Sequence, residues 1–239
     1  MYSGRGRSMS AMIHAVTWTA TWTATESTPF IVLAVVGTMA FSISGVMAAA
    51  RAQMDWLGAI VLALAVAIGG GTVRDLLLGQ LPVAWLERTW PVLVAIGTAI
   101  LMLIALRIWP KAHLDASTPL MVADAAGLSA FVITGTQIGL QADLNPFLAV
   151  MLGVLTGVGG GVIRDLLTRN EPVVLVGQIY AVAGIAGGAW FVLLTELGVN
   201  TQVCVWTSVL MIFLIRMLAI RRNWHLPKAL PEQPHNTAG

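Results

Sequence analysis

The sequence predicts an all-α polytopic membrane protein of seven transmembrane helices, arranged as two inverted three-helix repeats plus a seventh helix. Three observations carry that prediction. The 239 residues are 57% hydrophobic and 10% charged, with a mean hydropathy of +0.83, whereas a soluble domain carries about 25% charged residues. Apolar runs of about 20 residues, the length that crosses roughly 30 Å of hydrocarbon, recur along the chain. Finally, the segment Gly69-Gly70-Gly71-Thr72-Val73-Arg74-Asp75-Leu76-Leu77 returns as Gly159-Gly160-Gly161-Val162-Ile163-Arg164-Asp165-Leu166-Leu167, an offset of 90.

The first 28 residues form a polar, Thr/Trp-rich tail that begins with Arg5 and Arg7. It lacks the apolar stretch of a cleavable signal, and its tryptophans suit the bilayer interface. Residues 29–111 hold the first repeat, with spans at 30–50, 56–78 and 90–109. Residues 119–200 hold the second, inverted repeat, with spans at 120–140, 147–167 and 173–194. A seventh helix occupies 201–222, with its apolar run at 203–220, and 223–239 form a mobile, proline-bearing tail. Asp55, Pro82, Pro119 and Asn145-Pro146 punctuate the short connections.

The 90-residue offset also pairs Gly37, Ala40, Phe41, Ile43 and Gly45 with Gly127, Ala130, Phe131, Ile133 and Gly135, and Pro82 with Pro172. Three helices are an odd number, so the second unit enters the membrane from the opposite face, a design found in transport proteins. Seven spans put the two ends of the chain on opposite sides. The C-terminal side carries Arg51, Arg107, Lys111, Arg169, Arg216, Arg221, Arg222 and Lys228, and the other side Arg5, Arg7 and Arg88. The positive-inside rule then sets the N-terminus outside and the C-terminus in the cytoplasm of a cell inner (plasma) membrane.

The triple glycines occupy the second helix of each unit, past mid-span. Glycine costs about 1 kcal/mol relative to alanine in a helix, so three in a row predict a kink or a short unwound segment. Carbonyls freed there are tolerated only against protein or water, and facing water they suit a cation. The plainer reading is close helix packing, since Gly153, Gly157 and Gly161 form a stripe matched by Ala63, Ala67 and Gly71.

Arg74, Asp75, Arg164 and Asp165 stand in the last turns of their spans. A charge at the bilayer centre costs about 2.5–3.5 kcal/mol, and such charges usually face a cavity or a partner. Neighbours on a helix point about 100° apart, so each charge is expected to find a partner on another helix or to face water. The plainer alternative has the arginines snorkelling and the aspartates pairing locally. Asp124 has Ala34 as its counterpart and reads either as an interface cap or as a cation site near one mouth. Thr38, Ser42, Ser44, Thr134 and Thr136 supply hydroxyls, most of which bond back to their own helix. Gly184 and Gly188 form a helix-packing face, and Glu196 is a solvated helix end.

Other classes find little support. A single cysteine, Cys204, excludes an intrachain disulfide and reads as a small hydrophobe. His14, His113, His225 and His235 lie far apart, without ligand spacing, so no metal site and no cofactor are expected. Scattered charges cannot build a nucleic-acid face. Neither GxGxxG nor GxxxxGK[ST] occurs and no nucleophile–base–acid set is apparent, so an enzyme is the poorest reading.

The doubled GGGxxRDLL segments at 69–77 and 159–167, preceded by GxxAFxxxG at 37–45 and 127–135, resemble the prokaryotic trimeric intracellular cation (TRIC) channel family over roughly residues 30–222. The resemblance implies homotrimers with one pore inside each protomer and conduction of monovalent cations, chiefly potassium and sodium, in a lipid membrane. It implies kinked second and fifth helices lining the pore. Carried onto this sequence, the ion-pathway residues are Gly69, Gly70, Gly71, Arg74, Asp75, Gly159, Gly160, Gly161, Arg164 and Asp165, with Phe41 and Phe131 as candidate constriction residues. The same family is also classified as a glycine transporter. An alternating-access carrier, with Arg74 or Arg164 on the carboxylate of glycine and an aspartate on its amine, is the alternative.

Overall fold

The computed structural model describes residues 27–108, 117–175, 179–222 and 224. Within them the chain forms eight helices: α1 Thr28–Arg51, α2 Trp56–Leu77, α3 Ala84–Glu87, α4 Trp90–Ile108, α5 Ser117–Gln141, α6 Pro146–Leu167, α7 Ala181–Glu196 and α8 Thr201–Arg221. Six of them are long and apolar enough to cross a membrane, and the chain is an all-helical, multi-pass membrane protein. Large apolar side chains such as Leu57, Leu93, Leu101 and Phe147 are exposed on the outside, as a lipid-facing surface requires and a water-facing one does not tolerate over such an area.

The expected helix ends are met to within about three residues, with one exception. Among the described residues of the sixth expected span, 173–194, the helix begins at Ala181 and runs to Glu196. Sixteen residues at 1.5 Å each reach about 24 Å, short of the roughly 30 Å of hydrocarbon. Ahead of the helix, residues 173–175 form a turn, and the Val173 N–H is donated to the Asp165 carboxylate at 3.0 Å. Glu196 is exposed at the end of α7, as expected. The four histidines lie outside the described residues, as do both tails apart from residues 27, 28 and 224.

Local chemistry sets the boundaries. Asp55 accepts the Gly58 N–H at 2.6 Å, Asn145 accepts that of Leu148 at 3.0 Å, and Asn200 accepts that of Gln202 at 2.9 Å. Such caps satisfy backbone donors that no helical carbonyl can reach. Chain reversal after α1 and α5 uses left-handed residues at equivalent positions, Gln53 (φ 54°) and Asp143 (φ 57°). Each turn is closed by the same long bond, Met54 N–H to Ala49 C=O and Leu144 N–H to Gly139 C=O.

α1, α2, α6 and α5 form a closed ring in which each helix packs on the next. α4 lies across α1 and α2, α7 across α5 and α6, and α8 covers α5 and α7. Burial follows that order: 61% of the most apolar stretch of α1 and of α5 is buried, against 22% in α4. The ring is therefore the core, and α4 is a lipid-facing wall. One apolar cluster gathers Phe41, Val46, Leu62, Val66 and Leu103. The other gathers Leu128, Ile133, Phe191, Ile212 and Cys204, which packs as the small hydrophobe expected.

Candidate functional site

The glycine-bearing stretches meet where α2 crosses α6. Both helices run unbroken through their glycines, so the unwound segment expected from three consecutive glycines is not there. The glycines instead let two backbones touch. A Cβ on Gly70 would strike the Thr156 carbonyl, one on Gly159 would come within 3.0 Å of the Gly70 Cα, and one on Gly160 would lie 2.9 Å from the Phe41 ring. The helical bonds stay intact because the close approach itself offsets the low helix propensity of glycine. Gly69 faces the end of the Ile163 side chain. Beside this crossing the Phe41 and Phe131 rings stack with centroids 5.3 Å apart and planes tilted by 32°.

Each Arg–Asp pair first closes on itself, although the helical angle points the two side chains apart. Arg74 folds back on its neighbour, donating from Nε (2.8 Å) and Nη2 (2.6 Å) to Asp75 Oδ1. Arg164 does the same from Nε (2.9 Å), with Nη2 2.8 Å from Asp165 Oδ1. Pairing with the adjacent residue corrects the expectation of partners on other helices alone, because the arginine stem is long enough to curl around the helix to the next residue; Arg164 in addition meets that expectation. Each aspartate then uses its second oxygen on the incoming chain. Asp75 Oδ2 accepts the Ala84 N–H at 2.9 Å, as Asp165 Oδ2 accepts that of Val173. All four charged side chains are buried.

Beyond this shared pattern the two copies differ. Arg164 Nη1 also donates to Asp124 Oδ1 and to Ser44 Oγ, both at 2.6 Å. Asp124, 2% exposed, is thus neither an interface cap nor a cation site at a mouth; it is the second carboxylate on a buried arginine. Tyr180 packs beside it, and the Arg216 guanidinium of α8 lies 4.4 Å from the Tyr180 ring centre, within cation–π range. At Arg74 there is a cavity of about 240 Å³ instead, lined by residues of α1, α2, α5 and the α3–α4 stretch. Gly71, Arg74, Asp75 and Phe131 are among its walls. Trp85 closes one side, held by its indole N–H on Thr72 Oγ1 at 3.1 Å.

The remaining hydroxyls behave mostly as expected. Thr38, Thr134 and Thr136 donate to the carbonyls of Ala34, Ala130 and Val132 on their own helices, while Ser42 crosses to Ala95 of α4 at 2.7 Å. Gly184 and Gly188 face Val154 and Val150 of α6. The sequence reading passed over Tyr180 and gave Arg216 only a side of the membrane. An arginine inside the apolar run of α8, and the exchange of Trp90 for Tyr180 at the 90-residue offset, were the signals that mark them.

The chain is similar to known proteins along most of its length. The family model described as Glycine transporter matches residues 31–107 and 121–196. A UPF0126 membrane protein of Vibrio cholerae is 41% identical over 80% of this chain and 77% of its own length. The UPF0126 inner membrane protein YadS of Escherichia coli K12 is 39% identical over 81% and 92%. Among solved structures, the TRIC trimeric intracellular cation channel orthologue from Rhodobacter sphaeroides superposes with a TM-score of 0.75 at 34% identity, over 81% of this chain and 97% of that one. With the doubled motif, the buried Arg–Asp pairs and these matches in hand, the chain belongs to the TRIC family, the family that the glycine-transporter model describes.

Proposed function

We propose that the protein is a monovalent cation channel for potassium and sodium, with a pore inside each protomer between two inverted three-helix repeats. The observation that carries this reading is the likeness to a solved TRIC cation channel along nearly its whole length. Its repeats comprise residues 29–111 and 119–200, with α7 in the place of the sixth span. The pathway runs along α2 and α6, past the glycines at 69–71 and 159–161 and the pairs Arg74–Asp75 and Arg164–Asp165. The stacked Phe41 and Phe131 form its constriction. The assembly is a homotrimer in the inner membrane, with the N-terminus outside and the C-terminus cytoplasmic, as the distribution of arginine and lysine favours.

In the conformation described, α2 and α6 touch through their backbones and the two rings are stacked, which is the arrangement of a shut pathway. Conduction requires the rings and the helix crossing to part. The buried aspartates supply negative charge at the edge of the apolar layer, while the arginine beside each keeps a cation from being held too tightly, since conduction needs sites that release as well as bind. The glycine carrier is less well supported, because Arg164 is spent on Asp165 and Asp124, and beside Arg74 the carboxylate that would take the amine, Asp75, is engaged through both oxygens.

Single-channel recording of the purified protein in planar bilayers under asymmetric KCl tests the proposal. Discrete openings that reverse near the potassium equilibrium potential are expected, with reduced conductance in Asp75→Asn at unchanged trimer elution. Folded protein that stays electrically silent yet carries labelled glycine into liposomes would replace the channel by the carrier. Unchanged currents in Asp75→Asn would remove that residue from the pathway.

A further inference from the structure

The cavity beside Arg74 occupies the place that, in the other half of the molecule, is filled by a carboxylate. At the 90-residue offset its walls Ala34, Gly71, Arg74, Trp90 and Thr134 correspond to Asp124, Gly161, Arg164, Tyr180 and Ser44. The correspondence holds in space as well as in sequence. A Cβ on Gly161 would meet the Tyr180 hydroxyl at 2.8 Å and Asp124 Oδ1 at 3.4 Å, whereas a Cβ on Gly71 would meet only Arg74 Nη2, at 3.7 Å. Arg164 is bonded by two carboxylates and a serine hydroxyl. Among the described residues Arg74 is bonded by one carboxylate alone, that of Asp75, and is nevertheless buried to 8% exposure.

We infer that the cavity is a binding site for a small monocarboxylate with an apolar body, whose carboxylate sits against Arg74 as Asp124 sits against Arg164. The guanidinium presents planar donors suited to a carboxylate. Its neighbour Asp75 is already engaged through both oxygens, Oδ1 to Arg74 and Oδ2 to the Ala84 N–H, so an anionic head is what the site lacks. Apart from Thr38 and Arg88, the remaining wall is mostly apolar, contributed by Phe30, Ile68 and Phe131 among others. A cavity of about 150 Å³ holds benzene, and this one measures about 240 Å³. It therefore suits a benzoate-sized acid or the head of a fatty acid, and glycine would underfill it. The inference concerns binding and stands whether or not the protein conducts.

The test is calorimetric titration of the full-length protein in a neutral maltoside detergent, with benzoate as the probe. Saturable binding is expected, weakened about tenfold or more for benzyl alcohol. Ala34→Asp supplies the missing carboxylate from the protein itself; it should abolish binding while holding or raising the thermal midpoint. Gly71→Val fills the same space without charge and should also abolish binding, so the inference remains testable if the first variant does not fold. Displacement of benzoate by decanoate at lower concentration would support the site and identify a fatty acid as its natural source; no displacement would support it with a soluble acid as the source. Failure of benzoate to saturate would overturn the inference. So would equal affinity for benzyl alcohol, undiminished binding in both variants, or tighter binding of glycine.

Discussion

The two GGGxxRDLL copies fold alike and are embedded differently. Around Arg164 the ring of helices is filled by Asp124, Ser44 and Tyr180, with Arg216 of α8 against the tyrosine ring. Around Arg74 the same positions hold smaller or less polar side chains and leave a cavity. The repeated motif thus fixes what is common, an arginine curled onto the next aspartate and that aspartate tied to the incoming backbone. Single positions elsewhere decide whether the pair is sealed inside a network or borders open space.

This contrast is most directly broken at Asp124. Asp124→Ala leaves Arg164 buried with part of its charge uncompensated and should cost about 3–5 kcal/mol, because removing one partner of a buried ion pair strands the other. Unfolding in mixed micelles measures it. A loss no larger than that of an exposed substitution would mean that water reaches Arg164 as freely as it reaches the cavity.

The glycines sharpen the comparison at intermediate size. Gly70→Ala drives a methyl into the Thr156 carbonyl and should destabilise by about 1–3 kcal/mol, the usual range for overpacking. Gly71→Ala, one residue on, faces open space beside Arg74 and should stabilise by up to about 1 kcal/mol through helix propensity. The paired thermal midpoints are expected to move in opposite directions. The smallest effect is expected at Thr134. Ser44→Ala removes a bond to a charged donor and should cost about 1.5–3 kcal/mol, whereas Thr134→Val loses only a bond to its own helix and should cost less than about 1 kcal/mol. Equal losses would place Arg74 and Arg164 in the same polarity.

Much of this was legible in the sequence. The duplication, the apolar runs and the caps Asp55 and Asn145 are local patterns, and they map onto helices directly. Two features were not legible, for different reasons. Glycine triplets weaken a helix in isolation, but the contact between Gly70 and Thr156 comes from a residue 86 positions away, and such tertiary gain overrides propensity. The local pairing of Arg74 and Arg164 with the next aspartate was not legible because helical angles describe where Cβ atoms point, while a guanidinium lies several rotatable bonds beyond; the partner expected on another helix is found at Arg164. Asp124 had been noticed as a departure from the repeat; what it bonds to is a property of packing. The turn at residues 173–175 ahead of α7 is likewise something that hydropathy alone does not register.

The adjacency of arginine and aspartate has a consequence for how the chain is made. Insertion of a lone arginine or aspartate into the hydrocarbon is costly, by about 2.5–3.5 kcal/mol on insertion scales. Here the counter-charge is the very next residue synthesised, so the last turns of α2 and of α6 can be delivered to the membrane already neutral, with no later helix needed to cancel them. The further partners of Arg164, Ser44 and Asp124, both precede it in the chain. When α6 arrives, both have already left the ribosome.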